Sequence, residues 1–516
     1  MKREYLPIDA LAAWARLNNV KFHDTEVKRL QTKDGIDKGS AVVVTAKRSA
    51  QEFNPEAQAE PELLMTIPPD LVLSLERVET CAKSDRHLKE VLDAVGDYAR
   101  TARGAILIFL LVHITYSDPD LSKEHIRVSN AWTEYIKFLP ASYSLPTFYT
   151  VEELELLHGT SLEPALDTKM ASLGKEFEHL HEATADIPWC KRDWWSEETG
   201  RLRFEDWKLV DAMYRSRALE FPGVGHSMVP CVDMANHASG DQTGALYETD
   251  AKGNAVLQLR WSQSLEVGDE VTITYGDEKG ASEMIFSYGF LEGDVTNARQ
   301  LFLDLDIPED DPLRPAKKAV CDDAPGFCLF FRPGSGNATD WESQFVWWCC
   351  VNEEDGLEFR VLQSNEGQRE LTVSWKGADL SSSEPLVHLL KQDPMWEVFH
   401  LRAIVTLQDR VANQLGQLRA SDEYVQRWLE YVDDKVIRRS VWDTAIKLRE
   451  MEGELLESGF RDLEAKVSRF FPDLVYEFLL SNPSNILPQM KLVRLMNNQN
   501  RAFFAHRNSN SWTQSP

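Results

Sequence analysis

The chain predicts an α+β fold: a β-rich core, interrupted by a helical insert and followed by a mostly helical C-terminal domain. Three observations carry that prediction. Runs rich in β-branched and aliphatic residues stand near the start, "SAVVVTAKR" (40–48) and "ELLMTIPPDLVLS" (62–74), bounded by Gly and Pro. The pattern turns helical from about Leu75 to Glu220. Strand character returns from Met228 to Gly276, and past Gly293 helical spacing dominates. Long alternating blocks of this kind suit an interrupted α+β domain with a second domain behind it.

The elements follow in order. A helix-like start, Ile8 to Leu17, precedes the two strand runs, and the polar, Pro-containing "SAQEFNPEAQAEPE" (49–62) between them reads as a surface loop. Ala105 to Val112 is the most apolar run; it is far below the roughly 18 residues of a membrane span and is expected as a buried core helix. Thr150-x-x-Glu153 forms a capping box ahead of apolar residues at helical spacing. Glu205 to Phe221 reads as a further helix. Strand alternation then groups Leu257, Leu259 and Trp261 on one face, and Val271, Ile273 and Tyr275 on another that faces inward. Beyond a strand-like "ARQLFLDLDI" (298–307), "PEDDPLRP" (308–315) reads as a linker, Met395–Leu418 as a helix, and "RNSNSWTQSP" (507–516) as a frayed tail.

Composition limits function. A length of 516 residues allows about three domain-sized units. With 43% hydrophobic and 27% charged residues the chain reads as a soluble globular protein. The net charge of −27 argues against nucleic acid, whose phosphates need a basic stripe, and favours basic protein partners. Cys81, Cys190, Cys231, Cys321, Cys328, Cys349 and Cys350 are odd in number and irregular in spacing, which suggests reduced thiols in cytosol or nucleus. The opening residues carry Glu4 and Asp9 without an apolar core, so no signal peptide is expected, and no membrane association.

Chemistry-bearing motifs are few. His179 and His181 are two apart rather than four, and His237 with Asp233 has no third ligand nearby, so no metal is expected. No G-x-S-x-G exists. The pairs Trp194–Trp195 and Trp347–Trp348 are expected in the core. The segment "MVPCVDMANHASG" (228–240) is different: behind an apolar run it packs Asp233, Asn236 and His237 into five positions. Buried polar groups need partners, and their loss costs about 1–3 kcal/mol each.

That segment belongs to an ordered series: "RSRA" (215–218), "VPCVDMANH" (229–237), "GALYE" (244–248), "VGDEVTITYG" (267–276) and "SYGFLEGD" (287–294). The series resembles the SET-domain lysine methyltransferases, and within them the Rubisco large-subunit methyltransferase-like subgroup. "GSAVVVTAKR" is similar to the family's opening glycine-rich strand, and "PTFYTVEELELLHGTSL" to its insert helix. The match covers roughly Ala13 to Asp294 with gaps; the C-terminal half matches in helical character alone. The resemblance implies a β-rich SET fold over 18–276 whose "NH" and "YG" segments cross in a pseudoknot, with a helical insert at about 80–205. A post-knot segment with YGF at 277–300, a helical C-terminal substrate-binding domain at 301–505 and a flexible tail at 506–516 follow.

It also implies a function, an S-adenosylmethionine-dependent protein methyltransferase acting on lysine, in a histone, ribosomal or other protein. The cofactor would be held by Gly39, Ser40, Ala41, Arg217, Asn236, His237 and Tyr275, with no metal. Ala41 stands where the family has its second glycine. Arg217 would hold the cofactor carboxylate, a task its planar fork suits. Tyr275 would be catalytic, orienting a neutral amine for in-line displacement. Tyr247 and Tyr288 would line the substrate channel, and Asp233 would be structural, accepting backbone amides. The expected partner is a basic protein substrate, the expected state a monomer, the expected place cytoplasm or nucleus. Histidine methylation and a non-catalytic scaffold are the alternatives.

Overall fold

The computed structural model describes residues 1–31, 37–52, 60–119, 128–196, 201–293, 295–321, 324–363, 369–380, 383–433 and 435–481. Two compact units are present: Met1–Leu301 with Leu418–Glu452, and Phe302–Gln417 with Gly453–Pro516.

The first unit holds two four-stranded sheets. One runs, neighbour to neighbour, Lys21–Phe22, Leu63–Ile67, Ala255–Leu259, Ala245–Thr249, all antiparallel. The other runs Thr25–Gln31, Asp37–Val44, Glu270–Ile273, Asn236–His237. Alternation explains their core: Val42 and Val44 join Met65, Ile67, Leu257, Leu259, Val271 and Ile273 in one buried cluster. The predicted core helix is Ala102–Ser117, buried on all sides, and Thr101 caps it by accepting from the Gly104 N–H. Each fully buried Leu, Ile or Phe there stabilises the fold by about 1.5–3 kcal/mol.

The helix Phe204–Arg215 packs beside it, and Leu162–Thr184 packs against Phe204–Arg215. Asp211 ties them together, accepting from Arg103 Nη2 and Lys169 Nζ at 2.7 Å each. Burial pushes its pKa up, but Lys169, Arg215 and Arg103 outweigh that and hold it below the usual carboxylate value.

Three secondary-structure expectations are corrected first. The helix starting near Glu205 ends at Arg215, and Leu219–Phe221 is a strand paired with Gly225–Ser227. Pro222 disfavours helix in the residue before it, and Gly223, at φ +75°, makes the hairpin turn. Second, Met228 to Met234 is no strand: after a single bridge from Met228 to Leu73 it becomes a 3-10 turn at Val232–Met234. Pro230 lacks an N–H, and Cys231 takes φ +71°. Third, the strand with Val271 and Ile273 stops at Ile273, so Tyr275 lies beyond it.

The second unit has the expected long helices, in parts of Trp396–Arg427 and Arg439–Ser481, and beside them two three-stranded sheets. One comprises Gln300–Asp304, whose first residues fall in the first unit, Gly326–Phe331 and Thr339–Glu342. The other comprises Leu357–Gln363, Arg369–Trp375 and Ala378–Leu380. "PEDDPLRP" is not a linker. The helix Arg314–Val320 begins inside it, and buried Lys317 pairs with Asp311 and donates to the Val351 carbonyl at 2.6 Å. Trp194, Trp347 and Trp348 are buried as expected, and half-buried Trp195 donates to Thr184. The tail from 506 lies outside the described residues. Among those described, no helix is long and apolar enough to cross a membrane.

Candidate functional site

The strand Glu270–Ile273 changes partner halfway along. Glu270 and Val271 pair antiparallel with Val43 and Val42; Thr272 and Ile273 pair parallel with Asn236 and His237. Two segments far apart in sequence thus meet where the polar residues of "DMANH" lie.

Tyr275 stands at that junction. Its backbone N–H donates to His237 Nδ1 at 3.0 Å, and its hydroxyl donates to the Ala235 carbonyl at 2.8 Å. Its ring stacks on His237 (centroids 5.1 Å, planes 18° apart) and packs on Tyr288 at 4.5 Å. A bare Nδ1 acceptor assigns the imidazole proton to Nε2, which donates to Glu292 Oε1 at 3.0 Å. Glu292 also accepts from Ser239 Oγ at 2.7 Å, and its carbonyl accepts from Lys447 at 3.0 Å. The His237 side chain is 0% exposed; its Nδ1 also lies 3.4 Å from the Ile273 carbonyl, and Phe290 packs on the ring at 6.4 Å.

Burial pushes the Tyr275 phenol well above its ordinary value, more than Arg217 pulls it down. Burial, aided by Glu283, raises Tyr288 to about 12. Both therefore carry their protons at neutral pH. With its proton on Ala235, Tyr275 offers oxygen lone pairs, and can orient a donor without acting as a base.

Asp233 accepts from the Tyr135 hydroxyl and from Arg217, whose Nη1 lies 3.4 Å from the carboxylate and donates to the Asp233 carbonyl at 2.7 Å. Backbone amides are a minor part of its set: the Cys231 backbone contributes, and its N–H also donates to Tyr135 at 2.8 Å. The expectation of a chiefly backbone-held carboxylate is corrected: it is held chiefly by side chains. Burial raises its pKa despite Arg217. Asn236 Nδ2 donates to Glu270 at 2.6 Å.

Gly39 pairs with Leu30 at φ +80°, and space is open where a Cβ would stand. Ser40 is half-buried; Ala41, opposite Lys28, is fully buried. Tyr247 lies in the other sheet, opposite Leu257, stacked on Phe221 at 5.4 Å and close enough to bear electrostatically on Tyr288.

The structure thus joins Asn236, His237, Tyr275 and Tyr288 directly, reaches Arg217 through Asp233 and Tyr247 through Tyr288, and places Gly39–Ala41 in the same sheet. Sequence reasoning missed Glu292, Glu270, Tyr135 and the Ala235 carbonyl. Glu292 lies inside the quoted "SYGFLEGD", but no spacing marks it as the partner of a histidine 55 residues earlier. Among the described residues no group of three or more His, Cys, Asp or Glu could hold a metal ion.

No family model matches the chain. It is 29% identical over 361 residues to SET domain-containing protein 8 of Schizosaccharomyces pombe, covering 68% of this chain and 76% of that one. It is 26% identical over 198 residues to the chloroplastic [fructose-bisphosphate aldolase]-lysine N-methyltransferase of Arabidopsis thaliana, 37% of this chain and 40% of the relative. Against the actin-histidine N-methyltransferase of Dasypus novemcinctus it is 22% identical over 414 residues, 78% of this chain and 62% of the relative. The chain therefore spans less than two thirds of the latter two. The solved SET domain of LSMT bound to lysine and AdoHcy has a TM-score of 0.59 at 17% identity, covering 94% of this chain and 98% of that one. Rubisco LSMT bound to AdoMet gives 0.57 at 18%, covering 94% and 99%.

In fold and sequence the chain is similar to the S-adenosylmethionine-dependent SET-domain methyltransferases. Its fold is that of the Rubisco LSMT structures.

Proposed function

We propose that the protein transfers the methyl group of S-adenosylmethionine to a lysine of a protein substrate. One observation carries the reading: the Tyr275 hydroxyl, its proton committed to Ala235 and its ring fixed between His237 and Tyr288. A phenol fixed in this way accepts from an amine N–H and so aims the nitrogen lone pair. The residues present fit the cofactor. Space is open beside the Gly39 backbone, and Arg217 keeps a buried Nε without a partner.

Bound S-adenosylmethionine supplies an electrophilic methyl group. In this reading Gly39, Ser40 and Ala41 approach it through backbone, and Arg217 takes its carboxylate. Asn236, whose N–H is given to Glu270, offers its carbonyl oxygen to the amino group. Tyr247 and Tyr288 flank the acceptor and exclude water, and burial there disfavours the ammonium form, delivering a neutral amine. The second unit docks the protein substrate; the −27 net charge favours a basic one. A monomer in cytoplasm or nucleus completes the proposal. Histidine is the second reading, favoured by the actin-histidine relatives that span 78% of this chain.

The test is incubation with methyl-labelled S-adenosylmethionine and cell extract, then mass spectrometry of the labelled protein. Methyl-lysine supports the proposal, methylhistidine the second reading. Equal labelling by wild type and Tyr275→Phe would sink the role of Tyr275.

A further inference from the structure

Just past the stacked pair His237 and Tyr275, one side chain fastens both segments. Ser239 stands two residues beyond His237, and Asp277 two beyond Tyr275. Arg299 reaches both: its Nη1 donates to the Asp277 carbonyl at 2.8 Å and its Nη2 to Ser239 Oγ at 3.1 Å. The Asp277 carboxylate repeats the tie, its Oδ1 accepting from the Gly240 N–H at 3.2 Å and from Thr274 Oγ1 at 2.9 Å. A guanidinium and a carboxylate therefore hold together the two segments that leave the crossing.

Arg299 keeps this place in a backbone conformation that side chains rarely adopt. Its φ is +58°, and its N–H donates to Asn297 Oδ1 at 2.9 Å. The Gln300 N–H closes a three-residue turn across it, on the Ala298 carbonyl at 2.7 Å. Glycine would occupy the position without strain. Strain of this kind clusters at functional sites, where surrounding contacts over-determine it.

The direction of the hydrogen bonds links Arg299 to the imidazole. A guanidinium only donates, so Ser239 accepts from Arg299 with its oxygen and gives its own proton to Glu292 Oε2 at 2.7 Å. That leaves Oε1 for the Nε2–H of His237. At the far end the Tyr275 N–H, also a donor alone, meets Nδ1. Donors stand at both ends of the series, and the Glu292 carboxylate receives from each side. Arg299 Nη2 lies 3.7 Å from Glu292 Oε1, too far for a hydrogen bond, and its side chain is 30% exposed. The ion pair itself is therefore weak, and Ser239 is the link.

We propose that Arg299 is a positioning residue for methyl transfer, holding Ser239 and Glu292 so that His237 keeps Tyr275 in place. The inference rests on the reading of Tyr275 above. It gives Arg299 an effect on the rate of transfer and little on cofactor affinity.

The experiment compares Arg299 and Arg299→Gly in the full chain, each with Tyr275 and with Tyr275→Phe. It reads the initial rate of labelling of cell-extract protein from methyl-labelled S-adenosylmethionine, beside calorimetric affinity for that cofactor and a thermal melt. Glycine relieves the strained turn, so the melt should stay close to that of wild type. Arg299→Gly should slow transfer about tenfold, within the range for a small misplacement at a reacting centre, and leave affinity within about twofold. Guanidinium ion, added well below denaturing concentration, should restore most of the rate by refilling the partly exposed site, and should not stimulate wild type. In the Tyr275→Phe background the substitution should cost nothing further, because both changes act through one hydroxyl. An unchanged rate, a parallel fall of melt, affinity and rate, absence of rescue, or an equal cost in both backgrounds overturns the proposal. Tyr275→Phe at the wild-type rate instead removes the role of Tyr275, and the proposal with it. No labelling by wild type removes the methyltransferase reading beneath both.

Discussion

His237 Nδ1 accepts the backbone N–H of Tyr275, 38 residues later, at 3.0 Å. The strand that carries Val271 and Ile273 has already ended, so this imidazole, and not sheet pairing, sets where Tyr275 stands. Glu292 in turn sets the imidazole by accepting its Nε2–H. The tyrosine is therefore placed by a relay of two side-chain contacts from a glutamate outside both crossing strands.

Tyr275→Phe removes one hydroxyl and keeps the ring that stacks on His237. The fold and S-adenosylmethionine affinity should be retained within about twofold, while methyl transfer falls by about a hundredfold, the scale for losing one oriented group at a reacting centre. Single-turnover labelling beside calorimetry reads both quantities. A parallel loss of affinity and rate would return Tyr275 to a packing role.

Glu292 separates charge from geometry. Glu292→Gln keeps an oxygen for the imidazole N–H, and should leave stability nearly unchanged. Glu292→Leu leaves a buried N–H without an acceptor and should cost about 1–3 kcal/mol, with methyl transfer falling in step as Tyr275 loses its support. Denaturant unfolding of the three proteins checks the order; equal stability of the Leu variant and wild type would break the relay.

Much of this architecture was legible beforehand. Ala105–Val112 announces a buried helix by its unbroken apolar run, and Val271 with Ile273 declare an inward face by alternation, because burial is written in periodicity. Local chemistry is legible too: Thr150 and Glu153 form both hydrogen bonds of the predicted capping box. Contacts between distant segments were not. Nothing in spacing joins His237 to Glu292 or Asp233 to Tyr135, since neither pair shares a period or an element. Of the two sheets of the second unit, the strand inside "ARQLFLDLDI" was legible, at Gln300–Asp304, and the other strands were not. The end of the helix at Arg215 was overlooked although Pro222 and Gly223 announce it.

Glu153 does more than its box predicts. Its carboxylate takes a bidentate pair from Arg438, Nε at 2.7 Å and Nη2 at 2.6 Å, linking the insert to Leu418–Glu452 within the first unit. Burial pushes the Glu153 pKa up, but Arg438 and the Thr150 backbone hold it below its ordinary value. Arg438→Ala should destabilise the first unit by about 1–2 kcal/mol, less than a fully buried pair because the arginine is partly exposed. The loss should shrink as pH falls through the Glu153 folded-state pKa, because the carboxyl protonates and the pair is already broken in the wild type. Urea titrations at neutral and acid pH test this, and an undiminished difference at low pH would contradict it.

Glu452 should give the protein a stability that falls as pH rises. It is fully buried, and accepts from the backbone N–H of Ser161 at 2.9 Å and from its hydroxyl at 2.5 Å. Burial, the largest effect, outweighs these bonds and Arg449 and raises its pKa from 4.5 to about 7. A carboxyl with a raised folded-state value is most favourable to folding below 4.5, where both states are protonated. That contribution declines as pH climbs toward 7 and is gone above it, because the unfolded chain ionises freely while the folded chain must bury a charge. The full span is about 3 kcal/mol at about 1.4 kcal/mol per pH unit. Glu452→Gln cannot ionise, yet its amide can still accept from the Ser161 N–H and donate to the hydroxyl oxygen. The variant should therefore lack this decline and be more stable than wild type at pH 8, with the advantage shrinking toward pH 5. Unfolding curves across that range decide it; a variant whose stability runs parallel to wild type at every pH would show that Glu452 stays ionised in the fold.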